Sequence, residues 1–201
     1  SINGEKLSTR NGNVVLLKDL FAMAIEKVGK IIEEKNPSLE NKDEVAEAVG
    51  VGAVVFYYLT NSRIKDSDFN LDEALSFEGN TGPYAQYTYA RCCSIVEKSG
   101  GVPGESETVV YSPCEAEVAL IRTLSLFPEK VIDAIRDSEP MVITRYILDI
   151  CAGFNRFYHD CQILSAADPA ARAFRIRLTD AAKITLGNAF GLICLKKTPK
   201  I

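Results

Sequence analysis

The feature that most constrains this chain is a helical apolar spacing that runs from Leu20 almost to the end, cut at short intervals by prolines, glycines and capping residues. Leu20, Ala24, Val28, Ile31 and Ile32 recur at three and four residues, and Pro37 ends that helix. A second helix is predicted to start at Asn41, with Glu44 completing a capping box. Val45, Ala48, Val49, Gly52, Val55 and Phe56 form its buried side, and Gly50, Gly52 and the alanines make that surface thin enough for a neighbour to pack close. Residues 60–70 read as irregular and polar. Gly79 and Gly82 permit unusual backbone angles before a helix capped by Thr81, with Pro83 in its first turn and Gly100-Gly101 stopping it after about residue 99. Residues 102–111 read as a loop. Ser112-Pro113-Cys114-Glu115 reads as a further capping box, and Pro128, Pro140 and Asp168-Pro169 mark three more helices. The last of these places Ala171, Phe174, Leu178, Ala182, Thr185 and Ala189 on one side, and a short mixed tail follows from Gly191. Short connections between helices predict an all-α, antiparallel helical bundle. Asn3-Gly4, a hairpin-turn dipeptide between Ile2 and Lys6-Leu7, predicts a short hairpin or loop ahead of it. No internal repeat or low-complexity segment interrupts the pattern.

Apolar residues make up 47% of the chain, enough for a real core. A net charge of −4 argues against a basic carpet of the histone-like kind, while leaving room for a local phosphate-binding patch. No apolar run of ~18 residues is present, so no membrane span is expected. The start, Ser1-Ile2-Asn3-Gly4-Glu5-Lys6, has no signal-peptide core and no initiator Met, and predicts a chain cut from a longer protein. None of the six cysteines stands in a C-x-x-C pair, which disfavours zinc and thioredoxin-like chemistry; no metal site is expected. Six thiols among apolar residues fit a reducing cytosol, and a cytoplasmic location is expected.

Three segments carry chemistry. Lys6-Leu7-Ser8-Thr9-Arg10-Asn11-Gly12-Asn13 joins two cations and two hydroxyls in a polar loop suited to charge on a transferring phosphoryl or leaving pyrophosphate. A solvated hairpin exit is the plainer reading, and P-loop spacing is missing. In the second, Tyr84, Tyr87 and Arg91 stand at i, i+3 and i+7, on one helix face. Two rings and a guanidinium there can stack on unpaired bases and hold a phosphate, although tyrosines at this spacing also pack in cores. The third is Phe154-Asn155-Arg156-Phe157-Tyr158-His159-Asp160-Cys161. Neighbours on a helix point different ways, so His159, Asp160 and Cys161 are not expected to form a catalytic triad; a partly buried, hydrogen-bonded His159 is expected instead.

These segments resemble the arginyl-tRNA synthetases, a class I aminoacyl-tRNA synthetase family. The first loop looks like the K-M-S-K-S signature in the K-M-S-T-R form common among arginyl enzymes, and Gly12-Asn13-Val14-Val15 also fits. It departs from the pattern at Leu7 for Met, at Thr9 where many class I enzymes have a second Lys, and at Asn11 where the arginyl family usually has Lys. The stretch Phe77-Glu78-Gly79-Asn80-Thr81-Gly82-Pro83-Tyr84-Ala85-Gln86-Tyr87-Thr88-Tyr89-Ala90-Arg91 resembles the family's F-E-G-N-T-G-P-Y-L-Q-Y-A-H-A-R almost throughout, and separates this chain from the cysteinyl-type relatives. Residues 154–160 resemble F-N-R-F-Y-H-D/E, and the tail, closing on Pro199-Lys200-Ile201, resembles an ending in which an apolar last residue approaches the anticodon loop.

The resemblance covers essentially the whole chain. It implies that Lys6, Ser8, Thr9 and Arg10 belong to the loop that stabilises departing pyrophosphate. Tyr84, Tyr87, Arg91, Tyr158 and Ile201 would lie toward the tRNA, with Tyr84 equally placed to be a packed support and Asn80 and Gly82 shaping a turn. Residues 1–75 would end the catalytic domain, with connecting helices, and residues 76–201 would form the α-helical anticodon-binding domain. The H-I-G-H signature and the nucleotide fold are absent here, so ATP with Mg belongs to the intact ligase. The fragment alone is expected to hold no tight cofactor, to bind arginine-accepting tRNA rather than DNA or membrane, and not to aminoacylate. A free-standing helical RNA-binding module, or a helical scaffold without an RNA role, is the alternative.

Overall fold

A computed structural model describes residues 15–104 and 111–201 of the chain. Among these residues there are eight helices: α1 (Leu17–Lys35), α2 (Lys42–Thr60), α3 (Leu71–Ala74), α4 (Gly82–Lys98), α5 (Glu115–Ser125), α6 (Phe127–Asp137), α7 (Met141–Asp160) and α8 (Pro169–Leu192). The hairpin at Asn3-Gly4 and the loop carrying Lys6, Ser8, Thr9 and Arg10 lie outside the described residues. None of the described helices is long and apolar enough to cross a membrane.

The apolar periodicity becomes a core in three linked clusters. Leu20, Ala24, Val28 and Ile32 of α1 pack against Ala46, Val49, Ala53 and Val54 of α2. Phe56 of α2 then reaches a second cluster with Ala85 of α4, Ile147 and Ile150 of α7, and Leu186 and Phe190 of α8. Further along, α4, α7 and α8 close on α5 around Cys92, Leu120, Phe154, Phe157 and Ile176. Because α2, α4, α7 and α8 each serve neighbours on more than one side, the bundle is one contiguous packing.

The thin surface of α2 is used as its composition predicts. A methyl group at Gly50 would lie 2.8 Å from the backbone nitrogen of Ile25, so α1 and α2 meet almost backbone to backbone. Gly82 is needed for the same reason: its added carbon would stand 2.9 Å from the Gly52 carbonyl, and its φ is not positive. Only Gly79 uses the glycine-specific backbone region in that turn, with φ 80°.

Several local expectations change. Asn41 is the N-cap of α2, but its backbone is left-handed (φ 56°) and its side chain accepts no capping bond, so the box with Glu44 does not form. The box on α5 sits later than Ser112: Cys114 is the N-cap, and its backbone N–H donates to Glu117 Oε2 at 2.6 Å. Within the polar stretch after α2, the short α3 was unforeseen; Asn70 Oδ1 accepts from the N–H groups of Asp72 and Glu73 at 2.9 and 3.2 Å. On α8 the buried stripe includes Ile176, Leu186 and Phe190, whereas Thr185 is only half-buried and bonds back to its own helix. Thr81 caps α4 as expected, accepting from Tyr84 N–H at 3.2 Å, and Gly100 and Gly101 end it with positive φ.

Candidate nucleic-acid interface

The helix geometry of α4 turns the spacing of Tyr84, Tyr87 and Arg91 into one face, and α7 crosses that face with Phe154, Asn155 and Tyr158. Asn155 ties the two helices together. Its Oδ1 accepts from Arg91 Nη1 at 2.7 Å, and its Nδ2 donates to the Tyr84 hydroxyl at 2.8 Å. The Arg91 guanidinium lies 4.9 Å from the Tyr87 ring centre and 5.1 Å from that of Tyr158, between two aromatic rings. Tyr87 and Tyr158 remain 42% and 46% exposed, which leaves ring surface available to a ligand. Phe77 braces Tyr87 edge-on, and Phe154 stacks beside Tyr158 with an interplanar angle of 24°. Tyr84 is half-buried and bonded to Asn155, so it takes the supporting place.

Tyr87, Arg91 and Tyr158 open onto a cavity of about 1580 Å³ that Ile201 also lines. Small-molecule pockets run to roughly 300–1,000 Å³, so this volume suits a segment of macromolecule. Ile201 packs its apolar side on the α1–α2 cluster, bringing the last residue to the cavity that the aromatic pair also lines. Lys98, Lys196 and Lys200 add ammonium groups, partly matched by acids: Lys196 pairs with Glu47 at 3.3 Å and Lys200 with Glu97 at 3.9 Å. The wall is therefore mixed in charge, with Glu40, Glu44, Glu47, Glu97 and Asp160 lining it beside the cations.

The neighbouring His-Asp-Cys string has no catalytic geometry. His159 is fully on the surface rather than partly buried, with its side chain 89% exposed. It does touch Asp160, Nδ1 to Oδ1 at 2.9 Å, and that hydrogen bond, with Arg156 adding to it, holds the carboxyl below its usual range. Cys161 points inward, where burial and the adjacent Cys114 push its thiol up to about 12, far from a nucleophilic thiolate. All six cysteines are free thiols. Cys114 and Cys161 also approach Glu117, but that carboxylate already accepts from Arg175, Tyr111 and the Cys114 backbone, and the Arg175 guanidinium matches its charge.

Sequence reasoning missed Asn155, although it stands three residues before Tyr158 and so on the same helix face. It also missed Lys98, which stands seven residues after Arg91 on the same helix face, and Lys196, which only chain topology brings to the site.

Comparison with known proteins places this site in a family. The DALR anticodon binding domain matches residues 85–201, and the catalytic domain of class I (R) tRNA synthetases matches residues 2–71. The arginine–tRNA ligase of Alkaliphilus metalliredigens is 42% identical over 98% of this chain and 35% of its own length, and that of Clostridium acetobutylicum is 46% identical over 94% and 33%. The chain thus spans about a third of the length of these curated relatives. Among solved structures, the arginyl-tRNA synthetase of Thermus thermophilus superposes with a TM-score of 0.87 at 30% identity, covering 100% of this chain and 34% of that one. The Plasmodium falciparum enzyme, at 22% identity and a TM-score of 0.80, shares the fold over 94% of this chain and 34% of its own. The chain belongs to the arginyl-tRNA synthetase family, as a portion that carries the DALR anticodon-binding domain and a stretch of the class I catalytic domain.

Proposed function

We propose that this chain is the tRNA-binding part of an arginine–tRNA ligase and that the cavity beside α4 and α7 receives the anticodon loop. The observation that carries this reading is the Arg91 guanidinium held between the half-exposed rings of Tyr87 and Tyr158. Unpaired bases stack on such rings, and a guanidinium fixed between them meets a phosphate or a base edge without first being ordered. Asn155 supplies that fixation, Tyr84 anchors Asn155, and Ile201 offers an apolar contact in the same cavity. In the whole ligase, arginine is activated with ATP and Mg and then moved to the tRNA 3′ end, with Lys6, Ser8, Thr9 and Arg10 helping to stabilise pyrophosphate as it leaves. Among the described residues there is no nucleotide fold, and the chain alone is expected to carry out no activation.

The test is a titration with an arginine tRNA and an unrelated tRNA at two salt concentrations. Specific binding that weakens steeply with salt is expected, because phosphate contacts release counterions. Tyr87→Ala and Arg91→Ala should each weaken it by about 1–3 kcal/mol while the fold persists. Binding of both folded variants at wild-type strength would remove the anticodon assignment. Arginine-dependent ATP–pyrophosphate exchange by the chain alone would overturn its inactivity.

A further inference from the structure

We infer that Gln86 is a positioning residue: its side-chain amide sets the register of residues 195–201 against α2 and α4, and so builds the lysine-bearing wall of the cavity. The inference rests on the RNA-binding reading above for its purpose, and on its own geometry for the clamp. Gln86 sits on α4 one residue before Tyr87 and is fully buried. Its Nε2 donates to the Ala48 carbonyl of α2 at 3.2 Å and to the Lys196 carbonyl at 3.0 Å. Only the amide NH2 can face two carbonyl oxygens, so the orientation of the group is fixed. Its Oε1 has no partner in a fully buried place. An apolar side chain of similar length would avoid that cost, so fold stability is a poor reason for an amide here. Holding a chain segment at one register is a better one.

The surroundings form a track for the same segment. The chain leaves α8 through Cys194, whose φ is 56°, and turns back. Leu195 then fills the space left by Gly52, where an added carbon would stand 2.6 Å from Leu195 Cδ1. Lys197 runs over Gly187, where an added carbon would stand 3.0 Å from Lys197 Cε. Thr198 is buried, and the segment ends with Ile201 on the α1–α2 cluster. Sliding this stretch would take Leu195 and Thr198, its buried side chains, out of their places and lift Lys197 off Gly187. Lys196 and Lys200 would then lose their present positions in the cavity wall.

Gln86→Met keeps the length and removes the amide; Gly52→Ala keeps the amide but crowds it at 3.3 Å and obstructs Leu195 at 2.6 Å. Hydrogen exchange of residues 195–201 and tRNA affinity are measured on both variants in the full chain. Gln86→Met should melt close to wild type and Gly52→Ala lower, since Leu195 is a core residue, yet both should exchange about tenfold faster in that segment. Gln86→Met should bind arginine tRNA about fivefold to tenfold more weakly, as expected for lost hydrogen bonds that order a contact segment. Combining Lys196→Ala with Lys200→Ala should weaken wild type by a similar factor and add little to Gln86→Met, because these two lysines are already displaced there. Unchanged exchange in both variants overturns the clamp. Faster exchange with unchanged affinity, or losses that multiply fully, overturns its role in binding. A wild-type chain that binds no tRNA sinks the RNA-binding reading, while the exchange measurement still decides whether Gln86 sets the register.

Discussion

Replacing Asn155 by Ala probes the link between α4 and α7 directly. The change removes two hydrogen bonds at once, that from Arg91 Nη1 at 2.7 Å and that to the Tyr84 hydroxyl at 2.8 Å. A bond from a charged donor contributes about 1.5–3 kcal/mol and a neutral one about 0.5–1.5 kcal/mol. All three residues are only half-buried, so water takes over part of each role and the lower ends apply. The two ring contacts to Arg91 persist. The expected loss is about 2 kcal/mol, which for a chain of this size lowers Tm by roughly 4–8 °C. Urea unfolding followed by far-UV circular dichroism should show an earlier midpoint with an unchanged slope. The sharper measurement is the double-mutant cycle with Arg91→Ala. Because both residues belong to one network, the pair should couple by about 0.5–1.5 kcal/mol. A wild-type midpoint for Asn155→Ala, or single losses that add within about 0.3 kcal/mol, would refute the claim that Asn155 holds Arg91.

Two further perturbations test the fold that presents the site. Gly50→Ala would drive a methyl group to 2.8 Å from the Ile25 backbone nitrogen, and helix backbone cannot yield as a side-chain tip does; thermal unfolding should show a loss of about 1–3 kcal/mol, and a neutral or stabilising result would mean that α1 and α2 are not in backbone contact. At Glu117, burial alone would push the carboxyl up, but hydrogen bonds from Arg175, the Cys114 backbone and Tyr111 outweigh it and hold the group below its usual range. A carboxyl depressed in the folded state contributes stability that is present above the unfolded value, near about 4.3, and is lost as pH falls through the folded value. Urea midpoints between pH 7 and pH 3 should therefore fall less steeply in Glu117→Gln than in wild type, and identical profiles would contradict the pairing with Arg175.

How much could be read from the residues differs by scale. Helix positions were legible because Leu20, Ala24, Val28 and Ile32 repeat at the helical period and because Thr81, Pro83, Gly100 and Asp168 act on the backbone next to them. The close approach at Gly50 was legible too, since a missing side chain is written in the chain itself. Cap details were less so: Asn41 has the right residue type yet adopts a left-handed backbone, and the box on α5 moved to Cys114 because Glu117 is drawn in by Arg175, a partner from α8. The same limit applies at the site. That Tyr84, Tyr87 and Arg91 share one face followed from their spacing alone. Which of them supports and which faces outward depended on Asn155 and Tyr158 arriving from α7, and the lysine wall depended on residues 195–201 folding back to Gln86. By itself, then, the sequence determined the long helices, the Thr81 cap and the common face of α4, because these interactions span a few residues. The tertiary structure alone decided the partner of Arg91, the surface position of His159 and the far wall of the cavity, because they join groups separated by tens of residues and only packing brings such groups together.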